Sequence, residues 1–292
     1  MNGWRDGRAG PGDWDIARLA LYTLTGLILL FLLLPMFVIV PISFSSAKFL
    51  TFPPPGWSLQ WYEKYFTSPA WLAATWLSVR VAALTMVLAT GLGTLAALGL
   101  ARGRFRGRGL LYGLVLSPMI IPVIITAIAI YFLFARWELT GTLAGLALAH
   151  TVLAIPVVVV IVSATLQGVD PNLEHAAMNL GANRLRTFWR VTLPIIRPGV
   201  ISAAIFAFIV SFDEVIIAMF LSSPTTATLP KQMWDGIRQE IDPTIAAVST
   251  LVIVGSVALL LLAEVLRGQA QRLVGGPWSR GGQETRAKED SP

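Results

Sequence analysis

The sequence contains no cysteine. That excludes a disulfide framework, a thiolate metal site and a cysteine nucleophile. Histidine is nearly absent too: His150 and His175 stand far apart and form no HExxH pattern, which leaves little basis for zinc chemistry. Lysine is scarce, and Lys48, Lys64, Lys231 and Lys288 follow Ala47, Glu63, Pro230 and Ala287. No Gly-Lys pair therefore exists, and an ordinary phosphate-binding Walker loop is excluded. No nucleophile stands beside an evident base. Charged residues make up only 13% of the chain, too few for the surface of a soluble protein of 292 residues.

What fills the sequence is apolar: 55% hydrophobic residues and a mean hydropathy of +0.70. The expected fold class is an all-α membrane protein with six transmembrane helices. Residues 1–17 read as a tail rich in Gly, Asp and Arg, with no cleavage site. The spans are predicted at about Leu19–Ile42, Trp71–Leu100, Leu110–Phe134, Leu143–Leu166, Gly199–Leu221 and Ile245–Leu266, each near or above the ~20 residues a bilayer crossing needs. Pro118 and Pro122 fall inside the third, which should be bent or broken because proline removes an amide donor. Between the first two spans, Pro53, Pro54, Pro55 and Gly56 mark a turn. Trp57 and Trp61 there, like Trp234 further on, suit a membrane interface. The main body is expected over residues 70–267, preceded by a first helix and external loop over 18–69 and followed by a tail over 268–292.

The formal charge of +6 could suggest nucleic acid, but its distribution points to membrane orientation. Of 22 Lys and Arg residues, 16 lie in the two tails and in the loops after spans two and four. Five lie in the other loops, and Arg80 falls inside a span. The positive-inside rule then places both termini and the long loop after span four in the cytoplasm.

Two features stand out against this background. The first is charge within a span: Asp213 and Glu214, with Ser211 and Phe212, fall in the predicted fifth helix. A charge at the membrane centre is costly, about 3 kcal/mol on insertion scales, so such residues usually face water or a partner. They can line a path for a cation, serve as a proton or sodium site of an ion-coupled carrier, or pair with Arg80 or another subunit. Adjacent helical positions point about 100° apart, so both are not expected at one point, and Asp213 is the preferred path residue. His150 reads as a polar packing residue.

The second feature is the loop Gln167–Pro198. Leu173, Ala176, Ala177 and Leu180 repeat at helical spacing, as do Leu185, Phe188, Trp189 and Thr192. Two short helices are predicted: Asp170 caps the first with Pro171 at its first position, Gly181 ends it, Asn183 caps the second and Pro194 stops it. The pair can grip a partner or, through Arg184, Arg186, Arg190 and Arg197, lie on anionic lipid. A DNA-reading helix pair is disfavoured by its attachment to the bilayer.

The arrangement Ala176-Ala177, Gly181, Val191 and Leu193-Pro194 resembles the EAA loop of type I ABC importer permeases, the segment that docks on the ATPase. The fragments SPMIIPVIITAIAIYFLF, FIVSFDEVIIAMFLSS and TLPKQMWDGIR are similar to permeases of the spermidine/putrescine branch. The resemblance runs from about Trp71 to Leu266. It implies ATPase-coupling roles for Leu173, Glu174, His175, Ala176, Ala177, Leu180, Gly181, Ala182, Leu193 and Pro194. One departure is plain: His175 occupies the position where the family carries Glu, and Glu174 stands one residue earlier. The resemblance also implies a bacterial inner-membrane location and a chain without catalysis or a cofactor of its own, with ATP and Mg held by a cytoplasmic ATPase dimer. It implies as well a second homologous permease, an external substrate-binding protein meeting the segment Lys231–Arg238, surrounding lipid and no nucleic acid.

Overall fold

The computed structural model describes residues 11–103, 105–239 and 242–274. They form helices joined by short turns, with one isolated antiparallel bridge between Ser45 and Trp57. In chain order the helices are α1 (Pro11–Ser43), α2 (Gln60–Thr67), α3 (Pro69–Arg102), α4 (Arg108–Ile120), α5 (Val123–Arg136), α6 (Leu143–Gln167), α7 (Pro171–Asn179), α8 (Arg184–Thr187), α9 (Leu193–Phe212), α10 (Ile216–Leu221), α11 (Leu229–Gln239) and α12 (Thr244–Val274). Helix α1 starts inside the predicted tail, with Pro11 at its first position, where a missing N–H leaves nothing unsatisfied. Helix α12 likewise runs past the predicted end of the sixth span; residues 275–292 lie outside the described residues.

Among the described residues, five helices are long and apolar enough to cross a membrane, and the pair α4–α5 makes a sixth span when counted as one. That pair bends by 103°. The cause is local: Pro122 drives the preceding residue out of the helical region, and Ile121 takes φ −73° and ψ 133°. The expected bend is thus present, and it divides one apolar run into helices of 13 and 14 residues.

The chain divides into two compact units. In the smaller, which contains α2 and Asp242, Trp61 is buried and donates from Nε1 to the Ser45 carbonyl at 2.8 Å. It is therefore a packing residue rather than the interface anchor its position suggested; an indole in a polar loop finds both an apolar pocket and an acceptor here. Trp57 remains exposed. Burial works against ionisation of Asp242, but hydrogen bonds from Lys64 and Thr244 outweigh it and hold the carboxyl below its ordinary value.

In the larger unit α3, α6 and α9 form the core, with α6 at the centre and the most deeply buried of the three. Hydrocarbon gives no hydrophobic drive for helix association, so close contact must come from small residues and interhelical hydrogen bonds. Both are present. Ala89 and Ala97 of α3, Ala154 of α6, and Ala203 and Ala207 of α9 are fully buried in one cluster. Thr85 of α3 donates to the Ala147 carbonyl of α6 at 3.2 Å. A second cluster joins α5, α6 and α10 around Phe134, Leu146 and Ile217.

Two glycines set the approach distances. A Cβ at Gly93 would lie 2.7 Å from a Val158 methyl, and one at Gly199 would lie 2.1 Å from Thr165 Oγ1. Overpacking of this kind costs about 1–3 kcal/mol. Gly199→Ala is therefore expected to lower the thermal unfolding midpoint of the detergent-solubilised protein, and adding Thr165→Ala, which clears the clash, is expected to recover most of the loss. A midpoint unchanged by Gly199→Ala alone would show that α6 and α9 do not approach this closely.

Candidate functional site

The loop between α6 and α9 folds as its sequence demands at its start and departs from it at its end. Asp170 accepts from the Asn172 N–H at 2.9 Å, with Pro171 opening α7. Gly181 takes φ +90°, and the N–H groups of Gly181 and Ala182 return to the carbonyls of Met178 and Ala177. This paired closure at a left-handed glycine satisfies the last carbonyls of α7 and turns the chain sharply. Asn183 then accepts from the Arg186 N–H at 2.8 Å to start α8. Pro194 does not stop the helix as expected. A π-helical turn at Phe188–Thr192 joins α8 to α9, with the Leu193 N–H reaching the Phe188 carbonyl, and Pro194 lies in the first turn of α9. The wider turn accommodates a residue that has no N–H and whose ring crowds the preceding carbonyls.

The predicted coupling residues separate into two groups. Leu173, His175, Ala176 and Leu180 are exposed, Leu180 to 89% of its surface, and so are Leu185 and Trp189. Ala177 and Ala182 are half-buried, and Gly181 and Pro194 are exposed. Leu193 packs against the α3–α6–α9 core. Glu174 turns back toward its own chain: its Oε1 accepts from Arg102 Nη2 at 3.2 Å and from Thr192 Oγ1 at 3.0 Å. Arg102 also donates to the Val169 carbonyl. One carboxylate thus pins α7 to the end of α3 and to the π turn, leaving His175 on the outer surface. Sequence reading counted Arg102 only as an orientation signal and passed over Thr192 in this role. A contact spanning 72 residues leaves no local pattern to read.

The acidic pair lies in a break, not within a helix. Helix α9 ends at Phe212 and α10 starts at Ile216, so the 100° argument for adjacent helical positions does not apply. Glu214 Oε1 accepts from the Ile217 N–H at 2.9 Å and caps α10. Asp213 is exposed, and among the described residues its carboxylate makes no hydrogen bond or ion pair. Arg80 lies over the Trp76 ring at 5.7 Å and pairs with neither acid. Phe212 stacks on Phe208 at 5.8 Å. Ser211 is buried, and His150 Nδ1 lies 2.9 Å from its Oγ and 3.0 Å from its carbonyl oxygen. His150 therefore fastens the last turn of α9 to α6, immediately before the break.

Residues 89–273 match the family described as the binding-protein-dependent transport system inner membrane component. The chain belongs to this family. Within it, the chain is 36% identical over 255 residues to the putrescine transport system permease protein PotI of Escherichia coli K12, covering 83% of this chain and 89% of that one. It is 30% identical over 237 residues to the spermidine/putrescine transport system permease protein PotC of Haemophilus influenzae, covering 81% and 91%. Among solved structures, a bacterial ABC transporter involved in import of the acidic polysaccharide alginate superposes with a TM-score of 0.69 at 16% identity, covering 88% of this chain and 98% of that one. The MetNI methionine ABC transporter superposes with a TM-score of 0.54 at 19% identity, covering 70% and 94%. These last two speak for the fold.

The protein is thus a multi-pass inner-membrane permease subunit of an ABC importer, in the spermidine/putrescine branch, and it works with a separate ATPase and a substrate-binding protein. It is a transport subunit rather than an enzyme, and the ion-coupled carrier reading is not favoured. In this permease the Glu174 contact sets how firmly α7 is held. Hydrogen bonds to charged groups contribute about 1.5–3 kcal/mol. Glu174→Ala is expected to raise amide hydrogen exchange in α7 about tenfold or more, and Glu174→Gln, which keeps an acceptor, by much less. Equal exchange in Glu174→Ala and the parent would show that the contact does not hold the helix.

Proposed function

We propose that this permease moves a small polycation of the putrescine or spermidine type through a path shared with a second, homologous permease, driven by ATPase subunits that dock on α7 and α8. The solute class is supported by relatives named for putrescine and spermidine transport. The observation that carries the path assignment is the break between α9 and α10, where Asp213 presents an unpaired carboxylate. A carboxylate without a counter-charge at membrane depth attracts a cation, and the stacked Phe208 and Phe212 rings beside it offer cation–π contact. Glu214 has a different task, because capping α10 occupies its carboxylate.

A path needs walls on every side. In the larger unit, Phe132 of α5 and Met219 of α10 remain exposed beside the packed clusters. A second permease covers part of this surface and lipid the rest. The ATPase docks on the exposed side chains of Leu173, Ala176, Leu180, Leu185 and Trp189, since exposed apolar side chains fit a protein groove. ATP and Mg are bound by that partner, and this chain holds no cofactor. The excess of basic residues supports a cytoplasmic side for this end and both termini, with the segment containing Lys231–Arg238 on the side of the external binding protein.

Uptake of labelled putrescine and spermidine by cells carrying the complete importer tests this reading. Asp213→Asn is expected to lower uptake about tenfold, the effect of losing ~1.4 kcal/mol of attraction. Glu214→Gln, which keeps the acceptor for the Ile217 N–H, is expected to stay near the parent rate. Full uptake with Asp213→Asn would remove the path assignment. For docking, a cysteine at exposed Ala176 is expected to crosslink to the ATPase more readily than one at half-buried Ala177, and no crosslink at Ala176 would overturn the docked surface.

A further inference from the structure

The turn of chain that carries Asp213 is only as fixed as the helix ends on either side of it, and both ends rest on α6. On one side, Ile217, Ala218 and Leu221 of α10 share a buried cluster with Leu146, Ala149 and Leu153 of α6. Those contacts are apolar and carry no direction of their own. On the other side, the last turn of α9 meets α6 through a polar contact, His150 with Ser211, and both side chains are buried.

Ending a helix leaves its last carbonyls without donors from the next turn. In a continued α9 the Ser211 carbonyl would accept from the N–H four residues on; at the break it is left with the Glu214 N–H at 3.5 Å. His150 Nδ1 lies 3.0 Å from that carbonyl oxygen and 2.9 Å from Ser211 Oγ. A carbonyl oxygen only accepts, so Nδ1 carries the proton and Nε2 the lone pair. Nε2 is buried and has no partner among the described residues. A leucine would fill similar space without that unsatisfied atom, so packing alone does not account for a histidine here. The bonds the ring does make fall on Ser211, two residues before Asp213. Two residues of chain reach about 7 Å at most, so a shift of the Ser211 carbonyl carries Asp213 with it.

We propose that His150 is a positioning residue for transport: by holding the Ser211 carbonyl on α6 it sets where the α9–α10 break lies and aims the Asp213 carboxylate. Helix α6 then acts as a splint across the break, hydrogen-bonded on the α9 side and apolar on the α10 side. The proposal deepens the path assigned to Asp213 and rests on it.

The test uses the intact importer with its partner subunits. This chain has no cysteine, so Asp213→Cys gives it a single thiol, whose reaction with a small cationic methanethiosulfonate reads the presentation of position 213. Adding His150→Leu is expected to slow that reaction about fivefold, the scale of losing one fixing hydrogen bond. His150→Asn, which keeps an N–H donor where Nδ1 stands, is expected to restore most of the rate. Thr85→Val removes the bond from α3 to the Ala147 carbonyl without touching the break and is expected to leave the rate unchanged. Where His150→Leu does not assemble, His150→Gln, whose amide lies one carbon further out, takes its place with the same expectation. A rate unmoved by the His150 variant, or slowed equally by His150→Asn or Thr85→Val, would overturn the positioning role. Uptake of labelled putrescine per assembled complex separates this role from the path itself. With Asp213 present, His150→Leu is expected to lower uptake about fivefold, and on top of Asp213→Asn it is expected to add nothing. Losses that multiply would overturn the positioning role and leave the path in place. Full uptake with Asp213→Asn would overturn the path and the transport role of His150 together, with the thiol reaction then describing the break alone.

Discussion

A backbone surrounded by hydrocarbon has no water to satisfy its N–H and C=O groups, so each departure from helix within this permease needs an internal partner. The structure meets that demand at three breaks. Where α9 gives way to α10, Glu214 accepts the Ile217 N–H. Where α5 turns into α6, the Gly141 N–H reaches the Leu221 carbonyl, which joins this turn to the end of α10. Where α8 meets α9, the π turn keeps the chain helical past Pro194. The regular helices then have only to approach closely, and the alanines with Gly93 and Gly199 let α3, α6 and α9 do so.

The same demand distributes function. A helix break is tolerated at membrane depth where it is buried in protein or lines a water-filled path, and the α9–α10 break exposes Asp213 while committing Glu214 to a cap. His150 and Ser211 hold the helix end on the α6 side of that break. Two acids adjacent in sequence thus have unlike surroundings: Glu214 satisfies an N–H, and Asp213 is left exposed.

In the loop between α6 and α9, a single carboxylate decides which residues stay outside. Glu174 binds inward to Arg102 and Thr192, and Leu173, His175, Ala176 and Leu180 remain on the outer surface. The absence of an acid at position 175 therefore does not leave α7 without an anchor on its own chain.

Much of this was determined by sequence alone, wherever the governing interactions are local. Hydropathy set the spans, Pro122 the bend of the third, and Asp170, Gly181 and Asn183 the start, turn and restart of the α7–α8 pair, because capping and left-handed turns involve residues only a few positions apart. The family was legible for a related reason, since its signature is a short run of small residues and a glycine. Tertiary structure decided what depends on distant partners: that Glu174 faces Arg102, that Trp61 is buried, that His150 meets Ser211, and that Arg80 leaves Asp213 unpaired. It also corrected Pro194, whose disruption was absorbed by a π turn rather than ending the helix. A side chain's periodicity gives its direction around its own helix, but only the assembled bundle supplies what lies in that direction.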